Sequence, residues 1–301
     1  MRFSQLRDFL AVAEHGSLRA AARRLGVAQP SLTKSLQALE KELGAALFQR
    51  TARGAVITPA GMALQTRSRL VMEELRRAQE EIDQLSQRDT GEVSFAITTA
   101  PALLFLSRTM RDFQRRYPAV KVRIVTGVLP VTAPELRSGR LDFALLPRPD
   151  ADLGEEFALE PLLRNARAPI CRKGHPLAGA RSLAELTGAT WLTATIDPDP
   201  QAAFEAIFRA RGLEPPRSVI YCEMAMALVE LLIHLDTISW LPRAWLEPEL
   251  FRPWLTEIPI EETLPGQDIC LVQRRNFPLT PAADYLATLI RRHCAYRNGA
   301  M

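Results

Sequence analysis

Residues 21–40, AARRLGVAQPSLTKSLQALE, constrain this chain most. Apolar residues recur at helical spacing up to Leu25, Gly26-Val27 interrupts, and Pro30 opens a second run held by Leu32, Leu36 and Leu39. Proline fits the first turn of a helix, where its missing N–H has no partner to lose. So short a break turns the second helix across the first and leaves Gln29, Ser31, Thr33 and Lys34 outward. The pattern predicts a helix-turn-helix, which presents the start of its second helix to base edges.

The flanks extend it. Phe3, Leu6, Phe9/Leu10 and Val12/Ala13 predict a preceding helix that Gly16 ends, and Ser17 stands as N-cap for LRAAARRL. Downstream, ALFQR and AVIT are short strand-like runs around TARG. They predict a wing that carries Arg50 and Arg53 toward phosphates or a minor groove. Thr58 then caps a new helix with Pro59 at its start.

Charge follows the same division. The chain has a net charge of +4. Residues 1–58 hold nine basic and four acidic side chains, so the remainder is close to neutral. A basic head on a neutral body is what nucleic-acid contact requires. The four cysteines (Cys171, Cys222, Cys270 and Cys294) are far apart, which predicts reduced thiols and no metal site. No apolar run is long enough to span a bilayer, and MRFSQLRDFL lacks a signal-peptide core. The expectation is a cytoplasmic protein without membrane contact.

The stretch FLAVAEHGSLRAAARRLGVAQPSLTKSLQALEKELGAALFQRTARGAVITPAG resembles the DNA-binding domain of LysR-type transcriptional regulators. The matching residues are Phe9, Gly16-Ser17, Ala21-Ala22, Gln29-Pro30, Leu39-Glu40, Leu47-Phe48-Gln49-Arg50 and Thr58-Pro59-Ala60-Gly61. Two positions depart from the family pattern: Ala28, where Ser or Thr is usual, and Thr33, where Ser is common. Losing the first removes a helix cap worth ~1 kcal/mol. The resemblance implies DNA contacts from Ser17, Arg19, Gln29, Pro30, Ser31, Thr33 and Lys34, with Arg50 and Arg53 on the backbone. "SLRAAA", "RRAQEEI", "LDFAL" and "FPLTPAA" are similar, within the family, to regulators that respond to toluenesulfonate.

From Gly61 to Arg88 no proline or further glycine occurs. Leu64, Val71, Leu75, Ala78, Ile82 and Leu85 form one stripe, with four-three spacing from Val71. That is a coiled-coil seam, and it predicts a linker helix pairing with its copy in a second subunit. The alternative is docking on its own domain.

After Gly91 strands alternate with helices, the texture of a parallel α/β sheet. LRSGRLDFAL, HPLA and PAADYLATLIRRH resemble landmarks of the LysR effector domain, two lobes similar to periplasmic binding proteins. The expected class is an α+β multidomain chain. A winged helix-turn-helix (1–58) leads through a linker helix (59–89) to an effector domain (90–301). Its lobe I comprises 90–162 and 266–301, and its lobe II comprises 163–265. Ligands of such sheets bind at strand C-terminal ends, between the lobes. That selects Thr98, Thr99 and Ala100, where exposed helix N–H groups suit a carboxylate or sulfonate. It also selects Val128, Leu129 and Pro130, then Pro147 and Arg148, then Thr195, and finally Trp240 and Pro242.

The four histidines fall in no catalytic pattern, and no nucleotide or hydrolase motif occurs. The reading is a regulator, not an enzyme, with no cofactor and no metal. Its partners are double-stranded DNA, a small anionic effector and copies of itself, with a tetramer implied by the resemblance. A second class stays open at this level: a solute-binding module whose N-terminal helices recruit protein. The basic head weighs against it.

Overall fold

The computed structural model describes residues 1–51, 54–86, 88–149, 153–194, 200–263 and 266–298. Helices α1 (Phe3–His15), α2 (Leu18–Leu25) and α3 (Gln29–Leu43) precede a two-stranded wing, β1 (Phe48–Thr51) against β2 (Gly54–Ile57). The motif residues each hold one joint of this head. Phe9 is buried and its ring lies 5.4 Å from that of Phe48. Gly16 and Gly26 end α1 and α2 in the left-handed conformation. A carboxylate oxygen of Glu40 accepts from the Leu47 N–H at 2.7 Å, fixing the entry to the wing. Phe3, the first residue of that helical pattern, is half exposed, because the first turn of α1 runs past the cluster built on Phe9, Val12 and Leu39.

Helix α4 (Pro59–Leu85) starts on the Thr58 cap, whose hydroxyl accepts from the Gly61 N–H at 3.0 Å and donates to the Ala46 carbonyl at 2.7 Å. Gly61 packs directly on the wing: a β-carbon there would lie 2.3 Å from the Leu47 carbonyl oxygen. Backbone cannot retreat as a side chain can. Gly61→Ala is therefore expected to loosen the head by about 2 kcal/mol, within the usual range for core overpacking, read as an earlier melting transition and weaker DNA binding.

The rest forms two mixed sheets. The first has the order β4-β3-β5-β12-β6, from β3 (Glu92–Ile97), β4 (Lys121–Val125), β5 (Phe143–Pro147), β6 (Phe157–Leu163) and β12 (Ile269–Arg274). The second has the order β11-β7-β10-β8-β9, from β7 (Arg167–Arg172), β8 (Thr190–Ala194), β9 (Val219–Cys222), β10 (Thr237–Pro242) and β11 (Leu255–Glu257). Strands β3, β4 and β5 are parallel, but β12 runs antiparallel to β5 and β6; β7 likewise opposes β10 and β11. The expected parallel texture holds for β3, β4 and β5 and for β8, β9 and β10, and each sheet adds one reversed strand. The chain passes from one sheet to the other after β6 and returns at β12, and the first strand after each crossover, β7 and then β12, runs against the rest of its sheet.

Helices α5 (Thr99–Pro101) and α6 (Ser107–Arg116) are joined by a π-helical turn, Ala102–Leu106. Helices α7 (Leu129–Arg137), α8 (Pro200–Arg209), α9 (Ala225–His234) and α10 (Pro281–Asn298) complete the layers. Two of the histidines differ in setting. His234, which follows a helical apolar run, is exposed beside Glu230 rather than packed. His293 is buried between α6 and α10, with its Nδ1 2.8 Å from the Thr109 hydroxyl and its Nε2 3.4 Å from Asp112.

Burial holds the His293 imidazole below its usual pKa, with Asp112 opposing and Arg292 and Arg108 assisting. The folded state therefore favours neutral His293. Its contribution is complete above about pH 6.5, the ordinary histidine value, and is lost as pH falls toward the lower folded value. Melting curves should show stability dropping below that pH more steeply in the wild type than in His293→Gln.

Helix α4 docks on the first sheet through its polar face. Arg77 reaches Asp142 at 3.0 Å with both side chains almost wholly buried, and donates to the Gly139 carbonyl at 2.7 Å. The Ser94 N–H donates to the other Asp142 oxygen at 2.8 Å. Glu74 pairs with Arg274, Glu80 accepts from the Glu92 N–H, and Gln84 bridges the Thr90 carbonyl and the Ala282 N–H. The apolar stripe at Val71, Leu75, Ile82 and Leu85 meanwhile lies exposed. Both sequence readings of this helix thus find a face: one is docked on its own domain, the other is bare.

Candidate DNA interface and effector cleft

In the head, Leu32, Leu36 and Leu39 bury one side of α3. The opposite side presents Gln29, Pro30, Ser31 and Lys34 to solvent, with Thr33 half buried. The Thr33 hydroxyl donates to the Gln29 carbonyl at 3.0 Å, so that side chain is partly committed to its own helix. Ala28 makes no side-chain cap, as the departure from the family pattern implies. Ser17 accepts from the Ala20 N–H at a long 3.5 Å, and Arg19 is exposed. Arg50 lies on β1, its backbone opposite Ala55. Arg53 falls outside the described residues, as does Thr195. The Ala55 N–H donates to the Gly16 carbonyl at 2.9 Å, tying the wing to the end of α1.

Between the two sheets lies a cleft of about 460 Å³. It collects strand ends and the loops after them. Thr98, Thr99 and Ala100 come from the end of β3, Val128 and Pro130 from beyond β4, Pro147 from β5, and Pro242 from β10. Three expected residues lie elsewhere. Leu129 turns into the core with Leu136 and Val125. Trp240 is buried with Trp191 and Phe208, because alternate β10 residues face opposite sides of the sheet. Arg148 lines a separate open groove with Arg164 and Arg275, one residue past the cleft end of β5.

Among the described residues, the cation that does line the cleft is Arg167, which sequence reading missed. It opens β7 opposite Pro242, and its guanidinium donates to the Trp240 carbonyl at 2.8 Å. Its only sequence signal was position: it sits where the chain crosses between lobes, within RNARAPI. Asn165, Glu223, Cys222 and Trp245 were missed likewise. Cys171 and Cys270 are buried in the sheets, which pushes both thiols up to about 11 and leaves them protonated and inert. Among the described residues no cluster of histidine, cysteine and carboxylate could hold a metal ion, and no helix is long and apolar enough to cross a membrane.

A winged helix-turn-helix joined by a long helix to a two-lobed ligand-binding domain defines a class of bacterial one-chain regulators. Residues 3–62 match the bacterial regulatory helix-turn-helix protein, lysR family, and residues 86–295 match the LysR substrate binding domain. The chain belongs to the LysR family: it is a DNA-binding transcriptional regulator with an effector-binding domain, not an enzyme. Relatives include the HTH-type transcriptional regulator GbpR of Azospirillum brasilense, 28% identical over 97% of this chain and 86% of that protein. Another is the RuBisCO operon transcriptional regulator of Allochromatium vinosum, 29% identical over 96% of this chain and 97% of that one. Among solved structures, the chain is similar to CbnR, a LysR family transcriptional regulator, at 24% identity, 98% and 99% coverage and a TM-score of 0.68. It is also similar to full-length CbnR complexed with its target DNA, at 23% identity, 97% and 100% coverage and a TM-score of 0.70. At those identities the likeness speaks for the fold.

Proposed function

We propose that this regulator binds a partly palindromic operator as an oligomer and responds to a small anionic effector, an aromatic carboxylate or sulfonate, in the cleft between its lobes. The observation that carries the reading is the front of α3. Gln29, Pro30, Ser31 and Lys34 stand exposed on a helix pinned from behind by three leucines. We assign base contact to this group and backbone contact to Ser17, Arg19, Arg50 and Arg53. The bare stripe of α4 supports pairing with a second copy, and the family resemblance supports a tetramer acting in the cytoplasm. We divide the chain as 1–58, 59–89 and 90–301, with lobe II inserted at 163–265; that the second sheet's strands, β7 to β11, all fall inside this insertion supports it, with β6 of the first sheet ending at Leu163. Thr98, Thr99 and Arg167 support an anion in the cleft. The effector acts by favouring one arrangement of lobes and heads over another.

Fluorescence anisotropy on DNA upstream of the chain's own gene, against scrambled DNA of equal length, tests the reading. Tighter, salt-sensitive binding to the upstream fragment is expected. No binding to either fragment at low salt would reject it and favour a protein partner. In the same assay Lys34→Ala should cost about 1–3 kcal/mol of discrimination between fragments, whereas Arg53→Ala should weaken both alike. Equal losses of both kinds in both variants would overturn these roles.

A further inference from the structure

We propose that the effector is bipolar, with an acidic group held by Arg167 at one end of the cleft and a basic or hydrogen-bond-donating group held by Glu223 at the other. This rests on reading the cleft as the effector site and narrows the chemistry of what fills it. Among the described residues that line the cleft, Arg167 and Glu223 are the two that carry charge, and their charges are opposite.

Their separation follows from sheet register. Arg167 on β7 lies opposite Pro242 at the end of β10. Strand β8 neighbours β10, and Ala194 at the end of β8 lies opposite Cys222 at the end of β9. Glu223 is the next residue. The two charged residues thus stand three strand spacings apart along one edge of the sheet, about 14 Å between backbones. The floor between them is apolar, made by Leu228, Leu241 and Trp245. The facing wall offers the hydroxyl-bearing residues Thr98, Thr99 and Thr126.

The charged groups also differ in how they are held. The Arg167 guanidinium is half buried, tied to the Trp240 carbonyl and 6.0 Å from the centre of the Trp240 ring. A fixed, planar cation favours a carboxylate or sulfonate. Glu223 is exposed in the open cleft, so its charge is hydrated at little cost. When the lobes close on a ligand, that hydration is lost. An effector with only an acid leaves the Glu223 carboxylate without a partner, whereas an ammonium or donor opposite restores one.

Calorimetric titration of the full-length protein with three ligands of one shape tests this: para-(aminomethyl)benzoate, para-toluate and para-methylbenzylamine. The bipolar acid should bind about tenfold more tightly than para-toluate, ~1.4 kcal/mol. Glu223→Gln should remove that advantage and leave para-toluate no weaker. Arg167→Gln should weaken both acids. Para-toluate binding as tightly as the bipolar acid would overturn the inference and leave the simple-anion reading standing. Tightest binding by the amine, or indifference to both substitutions, would overturn the pairing. Binding by none of the three at millimolar concentration would also overturn it, while the DNA-binding reading is judged separately by anisotropy.

Discussion

Arg77→Met is expected to cost about 3–5 kcal/mol, because removing one partner of a buried ion pair strands the other charge. Arg77 and Asp142 are 6% and 4% exposed, so solvent screens the pair little. Burial already pushes the Asp142 carboxyl above its usual pKa range, against the pull of Arg77 and of the Ser94 N–H. Without Arg77 the carboxyl must either stay charged in an apolar setting or take up a proton, and both disfavour the fold. For an effector domain of this size the loss amounts to roughly 10 °C in melting temperature, measurable by scanning calorimetry. Arg77→Met combined with Asp142→Asn should recover most of it, since the amide carbonyl still accepts from the Ser94 N–H. A loss under ~1 kcal/mol, typical of surface ion pairs, would mean that α4 does not dock as described.

Phe9→Ala should unfold the head and leave the body intact. The Phe9 side chain is fully buried among Val12, Leu32, Leu36, Leu39 and Leu47, against the ring of Phe48. Such a truncation costs about 3–5 kcal/mol. A head of some sixty residues has a total stability of only ~3–9 kcal/mol at the usual per-residue value. DNA binding should therefore fall to the level of scrambled sequence, while the melting of the effector domain, which shares none of these contacts, stays in place. Retained operator affinity would show that the cluster repacks around the missing ring.

The head was legible residue by residue because its motif positions answer local demands. Gly16 and Gly26 take left-handed caps, Thr58 caps α4, and Gly61 lets a helix lie on a carbonyl. Such demands are written within a few residues of where they act. The element order of the lobes was legible for the same reason. Strand direction was not, because periodicity shows which face of a strand is buried and says nothing about which neighbour it pairs with. Strand β12 lies beside β5 although more than 120 residues separate them in sequence. Arg148 was legible and Arg167 was not on that account: the crossover, not the local run, decides which arginine lines the cleft. The α4 stripe was read from its spacing, whereas the docking of its polar face depended on Asp142 and Arg274, far along the chain.

The grip on α4 has a consequence for leverage. Strands β3, β5 and β12 each have one end at the cleft, near Thr98, Pro147 and Ile269. Each holds α4 at or near the other end, through Glu92 and Ser94, Asp142 and Arg274. From Arg77 to Pro59 the helix extends about 27 Å. A tilt of ~10° at the grip would swing its far end by ~5 Å, more than one base-pair rise of about 3.4 Å. A shift too small to disturb the packing of the first lobe would thus be magnified, at the head, into a change of position along the DNA.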